Sequence, residues 1–477
     1  MGETTEVSRL EQVRELLQRY GQGHLLACYS ALTPPQQASL CQTLASLDWE
    51  YLAELTETHV RRKPEGGVLG AIEPAPYYPV VPARPEVYRE ARAAGEELIR
   101  AGRVAAFTVA GGQGTRLGWD DPKGTFPATP LSDKSLFQLF AEQLRATERR
   151  YGTAVPWYIM TSVTNHAVTQ DFFEAHDYFG LGRGNVTLFS QGMMPSFDFA
   201  GNLLLAEPHT LATNPDGHGG SLTALSRSGA LADIARRGVT QISYFQVDNP
   251  NVRCVDPLFL GLHLQDGAEM SSKMIRKVDP KEKVGVFCTA LGRPCVIEYS
   301  DLPDALAERR DKGGALHFDA GSIAIHIIEL AFARRLTEGK GDRLALPFHR
   351  AEKVVPYIDP ATGRRVVPEK PNAVKLERFI FDALPLANRT VILETDRVEE
   401  FAPIKNAGGT DSPESSRRLQ TERAARWLEA NGVGIPRNDR GEVDAVIEIG
   451  PLTALEAGDL ADAELPERLE PGQRVLL

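Results

Sequence analysis

Residues 104–124 constrain the fold more than any other stretch. An unbroken apolar run, VAAFTV, passes directly into AGGQGTRLGWDDPKG. A run of that length without polar alternation suits a strand buried on both faces, which is the environment of a parallel sheet covered by helices. The glycines that follow allow a tight exit from the strand and leave backbone N–H groups free to face an anion.

The rest of the chain fits that frame. Strand-like runs recur at Pro156–Thr161, Val186–Phe189, Gln241–Val247, Glu269–Lys273 and Cys295–Tyr299. Between the first two strands, SLFQLFAEQLRATERR reads as an amphipathic helix capped by Ser132 or Asp133. Alternation of strands and helices predicts an α/β fold, with ligands at the carboxyl ends of the strands.

Upstream, Val7, Leu10, Val13, Leu16, Leu17 and Tyr20 recur at helical spacing. Five prolines in GAIEPAPYYPVVPARP (70–85) predict an extended connector, followed by a helix over about Glu86–Gly102. Downstream, RTVILET, AVIEIG and QRVLL read as strands around a charged helix, SSRRLQTERAARWLEANG. The predicted organisation is a helical region over 1–100, an α/β domain over 101–385 and a small α+β domain over 386–477.

Composition narrows the function. A net charge of −11 argues against a nucleic-acid binder, so phosphate chemistry would need a local basic pocket. Five scattered cysteines without a CxxC pair argue against a zinc site or disulfide framework and fit a reducing, cytoplasmic setting. The N-terminus lacks a basic and an apolar leader segment, and AGSIAIHIIELAFARRL is too short to span a bilayer. No membrane partner is expected, and the oligomeric state stays open, a monomer included.

The loop itself is read by elimination. No Gly-x-x-x-x-Gly-Lys-Ser/Thr spacing is present, and Gly112-Gln113-Gly114 is not completed as GxGxxG. What remains is a glycine-rich turn on which Arg116 and Lys123 can converge with backbone N–H groups around an anion. Asp248 ends the apolar run ISYFQV, where a carboxylate could hold a hard cation or simply open an Asx turn.

The loop resembles the signature of the UDP-sugar pyrophosphorylases, most closely the UDP-N-acetylhexosamine branch. The resemblance continues in order through FSQGMMPSFD, NPDGHGGSLTAL, YFQVDNPNVRCVDPLFLG, EKVGVFC, VIEYSDLP, FDAGSIAIH, HRAEKVVPYID, KPNAVKLERFIFD and EEFAPIKNAGGTDSP, covering roughly residues 100–415. It implies a mixed, mainly parallel, Rossmann-like nucleotidyltransferase sheet and a reaction joining UTP to a sugar 1-phosphate with Mg²⁺.

The resemblance implies that Arg116, Lys123 and Lys375 serve the phosphates near the reacting centre, with Lys353 a further phosphate contact. Ala110, Gly111, Gly112, Gln113, Gly114, Thr115, Gln191, Gly192 and Gly217 match nucleotide contacts, Gln191 reading the uracil edge with one donor and one acceptor. Asp248 matches the Mg²⁺ ligand. His218, Asn249, Gly285, Glu298 and Ser322 match the sugar side.

Two positions depart from the branch pattern, because His218 and Ser322 stand where asparagines are usual. GHG looks more like the glucose-1-phosphate and broad UDP-sugar branches. The expected reaction is therefore uridylyl transfer to N-acetylglucosamine 1-phosphate, with glucose 1-phosphate as the alternative substrate. The alternative of another class is a nucleotide-sugar-binding regulator without catalysis.

Overall fold

The computed structural model describes residues 2–62, 72–339 and 343–477. The side chain of Val7 and residues 70–71 of the proline-rich connector lie outside the described set. The chain divides into two compact units with interleaved segments: Met1–Leu69, Gly192–Gly220 and Lys340–Ile380 in the first, Gly70–Gln191, Ser221–Gly339 and Phe381–Leu477 in the second. The segment 1–100 is thus shared between both units, and 386–477 belongs with the second.

The second unit is built on a ten-stranded sheet. Its strands are β1 (Ile72–Pro74), β2 (Val104–Val109), β3 (Trp157–Thr161), β4 (Val186–Ser190), β5 (Gln241–Gln246), β6 (Met270–Arg276), β7 (Val286–Ala290), β8 (Arg293–Ile297), β9 (Ala320–Glu329) and β10 (Thr390–Glu394). The main path runs β1-β7-β9-β5-β2-β3-β4; β6 pairs with β9 and β10, and β8 with β7. The sheet is mixed: β5-β2-β3-β4 is parallel, and β9 runs antiparallel to β5. Thr390–Glu394, the strand read at RTVILET, is parallel to β6 in this sheet, whereas Ala445–Glu448 and Gln473–Leu476 form a separate parallel pair.

Helices cover the parallel strands because VAAFTV and WYIMT are buried almost throughout. The helix Leu136–Tyr151 seats Phe140 edge-on against Phe245 of β5, ring centroids 5.3 Å apart. Its cap is Ser135, whose hydroxyl accepts from the Gln138 amide at 3.1 Å, rather than Ser132 or Asp133. Those two are held elsewhere: the Ser132 hydroxyl bonds the Glu448 carboxylate, and Asp133 has a left-handed φ of 51°. Helices Pro85–Arg100 and Pro257–Gln265 meet backbone to backbone. A Cβ on Gly261 would stand 1.6 Å from the Ala91 carbonyl oxygen, so only glycine permits the contact.

In the first unit, helices Gly2–Arg19, Pro34–Ser46 and Trp49–Leu55 share a core with a three-stranded sheet of His349–Lys353, Ala373–Glu377 and Phe197–Asp198. Leu40, Leu44, Trp49, Phe197 and Leu376 fill it. No helix of the described residues is long and apolar enough to cross a membrane.

One polar cluster lies inside the second unit. The fully buried Lys273 ammonium of β6 donates to Asp256 at 2.6 Å and to both Glu400 oxygens at 2.7 and 2.5 Å. Burial alone would raise the Asp256 carboxyl, but Lys273 and Arg253 hold it down at about 2. Asp256 also caps the helix Pro257–Gln265 through the Leu258 and Phe259 amides. Lys273→Met should remove the ammonium that bridges the buried Asp256 and Glu400 carboxylates and cost about 3–5 kcal/mol. Urea unfolding at neutral pH checks this, and a loss below about 1 kcal/mol would show that the cluster is dispensable.

Candidate active site

The glycine-rich loop leaves β2 at the same edge as its parallel neighbours. Val109 lies opposite Gln246 of β5 and Met160 of β3, so Ala110 and Asp248 emerge side by side within two residues of their strand ends. The Ala110 amide continues the ladder to the Met160 carbonyl at 2.7 Å. The loop then closes on itself: the Gly114 amide donates to the Asp121 carbonyl at 3.1 Å and the Lys123 amide to the Gly112 carbonyl at 3.1 Å. Thr115–Leu117 forms one 3₁₀ turn, ended by Gly118 with φ 69°.

Arg116 is exposed and Lys123 half-buried, and neither has a carboxylate partner among the described residues. The Gln113 amide oxygen is buried and accepts no hydrogen bond within the described residues, an arrangement that calls for an explanation outside the chain. A Cβ on Gly111 would stand 2.9 Å from Gln191 Oε1, so Gly111 and Gln191 share one wall.

Asn165 is a residue that sequence reading missed. Its buried amide donates to the Ala110 carbonyl at 3.1 Å while its oxygen accepts from the Ser162 amide at 2.7 Å. It therefore clamps the root of the loop. An asparagine in SVTNHAV carries no signal by itself, because its partner comes from a different strand end.

Asp248 is half-buried, and its carbonyl accepts from the Ile404 amide at 2.8 Å. That contact brings in Lys405 and Asp411, which form a 3.9 Å ion pair. Burial pushes the Asp411 carboxyl up, Lys405 pulls it back, and the nearby charge of Asp248 adds to the rise. Asn249 is occupied structurally: its amide donates to the Glu400 carbonyl at 2.6 Å and its oxygen accepts from the Ala402 amide at 3.0 Å. Both ends of this buried side chain face backbone, which makes Asn249 a positioning residue for Asp248. No group of three or more His, Cys, Asp or Glu side chains is arranged around a metal among the described residues.

Three residues matched to the sugar side come together at the base of the β7–β8 hairpin. Ser322 on β9 donates its amide to the Gly285 carbonyl at 2.8 Å. A Cβ on Gly285 would stand 2.7 Å from Val296 and 3.5 Å from Glu298 Oε1. Glu298 follows β8 directly, and its carbonyl accepts from Asp301 and Leu302.

In the first unit, the 216–220 turn is laced to the end of the Ala373–Glu377 strand. Arg378 donates its amide to the Asp216 carbonyl and accepts from the Gly219 amide, both at 2.8 Å. A Cβ on Gly192 would stand 2.8 Å from Asp216 Oδ2. His218 stacks on Phe379 at 5.1 Å, and its Nδ1 accepts from the Ile380 amide at 3.1 Å, which leaves the proton on Nε2. Burial, with His349 nearby, pushes its pKa down to about 4, so the ring is neutral at physiological pH.

Lys353 pairs with Ala373, and Ala351 with Lys375, so both lysines project from one face of the sheet. Neither has a carboxylate partner among the described residues. Buried Arg378 places its guanidinium over Phe348 at 4.1 Å and donates to Tyr51 at 2.6 Å, fastening the strand to the helical core.

Gly217 has φ 82°, and a Cβ there would stand 2.3 Å from the Arg378 carbonyl oxygen. Gly217→Ala should cost more than the roughly 1–2 kcal/mol of a left-handed alanine, because the backbone must also separate. An unchanged urea midpoint would show that this turn is not held as described.

The sequence profile of the UTP–glucose-1-phosphate uridylyltransferase family matches residues 71–415. The chain is 37% identical to human UDP-N-acetylhexosamine pyrophosphorylase-like protein 1 over 476 residues, spanning 93% of this chain and 92% of the human protein. It is 40% identical to the UDP-N-acetylglucosamine pyrophosphorylase of Saccharomyces cerevisiae over 347 residues, 71% of this chain and 72% of the yeast protein. The crystal structure of the Trypanosoma brucei uridine diphosphate N-acetylglucosamine pyrophosphorylase superposes with a TM-score of 0.80 at 26% identity, covering 97% of each chain. With the glycine-rich loop and Asp248 at adjacent parallel strand ends, these likenesses show that the chain belongs to the UTP–glucose-1-phosphate uridylyltransferase family, in its UDP-N-acetylhexosamine pyrophosphorylase branch.

Proposed function

We propose that this uridylyltransferase uses UTP and N-acetylglucosamine 1-phosphate to form the UDP-sugar and pyrophosphate. The observation that carries the reading is the emergence of the Arg116/Lys123 loop and of Asp248 from neighbouring parallel strands at one edge. A phosphate oxygen of the sugar substrate attacks the α-phosphorus of UTP, the bond to the β-phosphate oxygen breaks, and pyrophosphate leaves. The chain's task is to align two polyanions and offset their repulsion.

Arg116 and Lys123 take the triphosphate, and Lys375 and Lys353 supply positive charge to the phosphates. Backbone amides at Gly111, Gly112 and Thr115 face the nucleotide, with Gln113, Gly114, Gly192 and Gly217 as further contacts and Gln191 on the uracil edge. Asp248 is the Mg²⁺ ligand: a site with one or two carboxylates, completed by water and substrate phosphates, suits this ion, and Asp411 lies close enough for charge coupling. When bound, Mg²⁺ supplies Lewis acidity and positive charge to the phosphates. A cytoplasmic setting accords with the five unpaired cysteines.

Gly285, Glu298 and Ser322 meet the sugar, and neutral His218 is matched to the sugar side. Purified protein with UTP and Mg²⁺ should release pyrophosphate with N-acetylglucosamine 1-phosphate and, to a smaller extent, glucose 1-phosphate. Silence with every sugar phosphate in a panel would leave the binding-regulator reading. Asp248→Asn should keep the fold and reduce turnover on the order of a hundredfold or more, and EDTA should abolish activity. Activity indifferent to chelation would take Asp248 out of the mechanism.

Ser322 is shorter than asparagine and offers one polar partner fewer to the substituent on the sugar's second carbon. His218→Asn with Ser322→Asn should therefore move the ratio of the two activities towards the acetylated sugar by about fivefold. An unmoved ratio would assign the choice to other residues.

A further inference from the structure

Cys288 and Cys295 stand directly opposite each other on β7 and β8, with their sulfurs 3.4 Å apart. The hairpin turns through Leu291 and Gly292, both left-handed at φ 51° and 74°. A two-residue turn of that kind sets the register and makes Ala290 and Arg293 a hydrogen-bonded pair. Pairs alternate, so Cys288 and Cys295 are also hydrogen-bonded partners, with an expected Cα separation of about 5.5 Å. That value falls within the roughly 4.4–6.8 Å Cα range of disulfides. A hydrogen-bonded pair, however, holds its Cβ atoms towards the wide end of about 4.5–5.5 Å, beyond the roughly 3.5–4.5 Å of a disulfide, so closure draws the two strands together.

The two thiols differ in access. Cys288 is buried in a cluster with Val286, Ile297, Leu302 and Phe318, whereas Cys295 is half-exposed. The hydrogen bond from Cys288 holds the Cys295 thiol below the usual range, and both that pairing and burial push Cys288 up. Cys295 is therefore the sulfur that meets a solvent-borne oxidant, and Cys288 the one that resolves.

We propose that Cys288 and Cys295 form an oxidisable dithiol that closes to a disulfide by exchange with a low-molecular-weight disulfide and thereby weakens the sugar end of the site. The Cys295 thiolate attacks one sulfur of the small disulfide, forming a mixed disulfide and releasing one thiolate. Cys288 then loses its proton and attacks Cys295 Sγ, releasing the second thiolate. Two protein thiols are oxidised and one small disulfide is reduced to two thiols.

The coupling to function rests on the proposed role of Gly285 and Glu298, which flank the hairpin three residues before Cys288 and three after Cys295. Closure shortens the sulfur separation from 3.4 Å to about 2.05 Å. A shift of that size at the hairpin base displaces groups whose alignment matters at the level of about 1 Å. The bond is reversible by thiols, so the change in affinity is too.

The full chain is treated with glutathione disulfide, alkylated and digested, and the peptide carrying both cysteines is weighed. The expected product is lighter by two hydrogens than its dithiol form and carries no alkyl group on Cys288 or Cys295. Its formation should raise the KM for the sugar 1-phosphate about threefold or more while leaving that for UTP unchanged. Dithiothreitol should restore the original value. Cys295→Ser should be indifferent to the oxidant, whereas Cys288→Ser should stop at the mixed disulfide on Cys295, heavier by one small thiol and unable to form the internal bond.

Alkylation of both cysteines after treatment would overturn the proposal, as would disulfide formation with an unchanged sugar KM. If the protein transfers no uridylyl group at all, the functional reading fails on its own, and the peptide mass still decides whether the dithiol closes.

Discussion

The site-bearing edge of the second unit depends on one buried ammonium. Lys273 binds Asp256 and Glu400, and Glu400 passes the constraint onward, since its carbonyl accepts from the Asn249 side chain. Asn249 in turn receives the Ala402 amide, and the Ile404 amide reaches the Asp248 carbonyl. The residue proposed to hold the cation is thus fixed from behind by a chain of polar contacts that begins in the core. Such a cluster does not have to stabilise the protein more than apolar packing would; removing one member is costly because the others stay charged and buried. Its use here is positional.

The same logic applies to the glycine-rich loop. Its backbone amides are held by internal contacts at Gly114 and Lys123 and by Asn165 at its root, not by a helix behind it. A loop ordered in advance loses little entropy when an anion binds. In an acidic chain, Arg116, Lys123, Lys353 and Lys375 stand without carboxylate partners among the described residues, whereas Arg335 and Arg437 are tied to glutamates. Charge left unneutralised on an ordered backbone is available to a substrate.

Sugar choice is the subtlest feature. His218 is held by stacking on Phe379 and by the Ile380 amide on its Nδ1. Ser322 is held through its backbone on Gly285, leaving the length of its side chain as the variable.

The strand at VAAFTV, the helix after it, and the loop between them are determined locally, because continuous apolar character, helical periodicity and glycine clustering act over a few residues. The nine ordered motifs carry the family for the same reason: each is a short stretch whose backbone or side chain has a demanding task. The sequence by itself could not assign the cap of the helix Leu136–Tyr151, because Ser132, Asp133 and Ser135 offer similar chemistry. The choice fell to Ser135 once Glu448, 316 residues from Ser132, engaged the Ser132 hydroxyl. Nor could it show that Thr390–Glu394 joins the large sheet, that Asn249 faces backbone, that Asn165 clamps the loop, or that Cys288 and Cys295 are paired across a hairpin. These outcomes rest on partners brought together from separate strands and turns, and only tertiary packing decides which of several equivalent polar groups finds its partner.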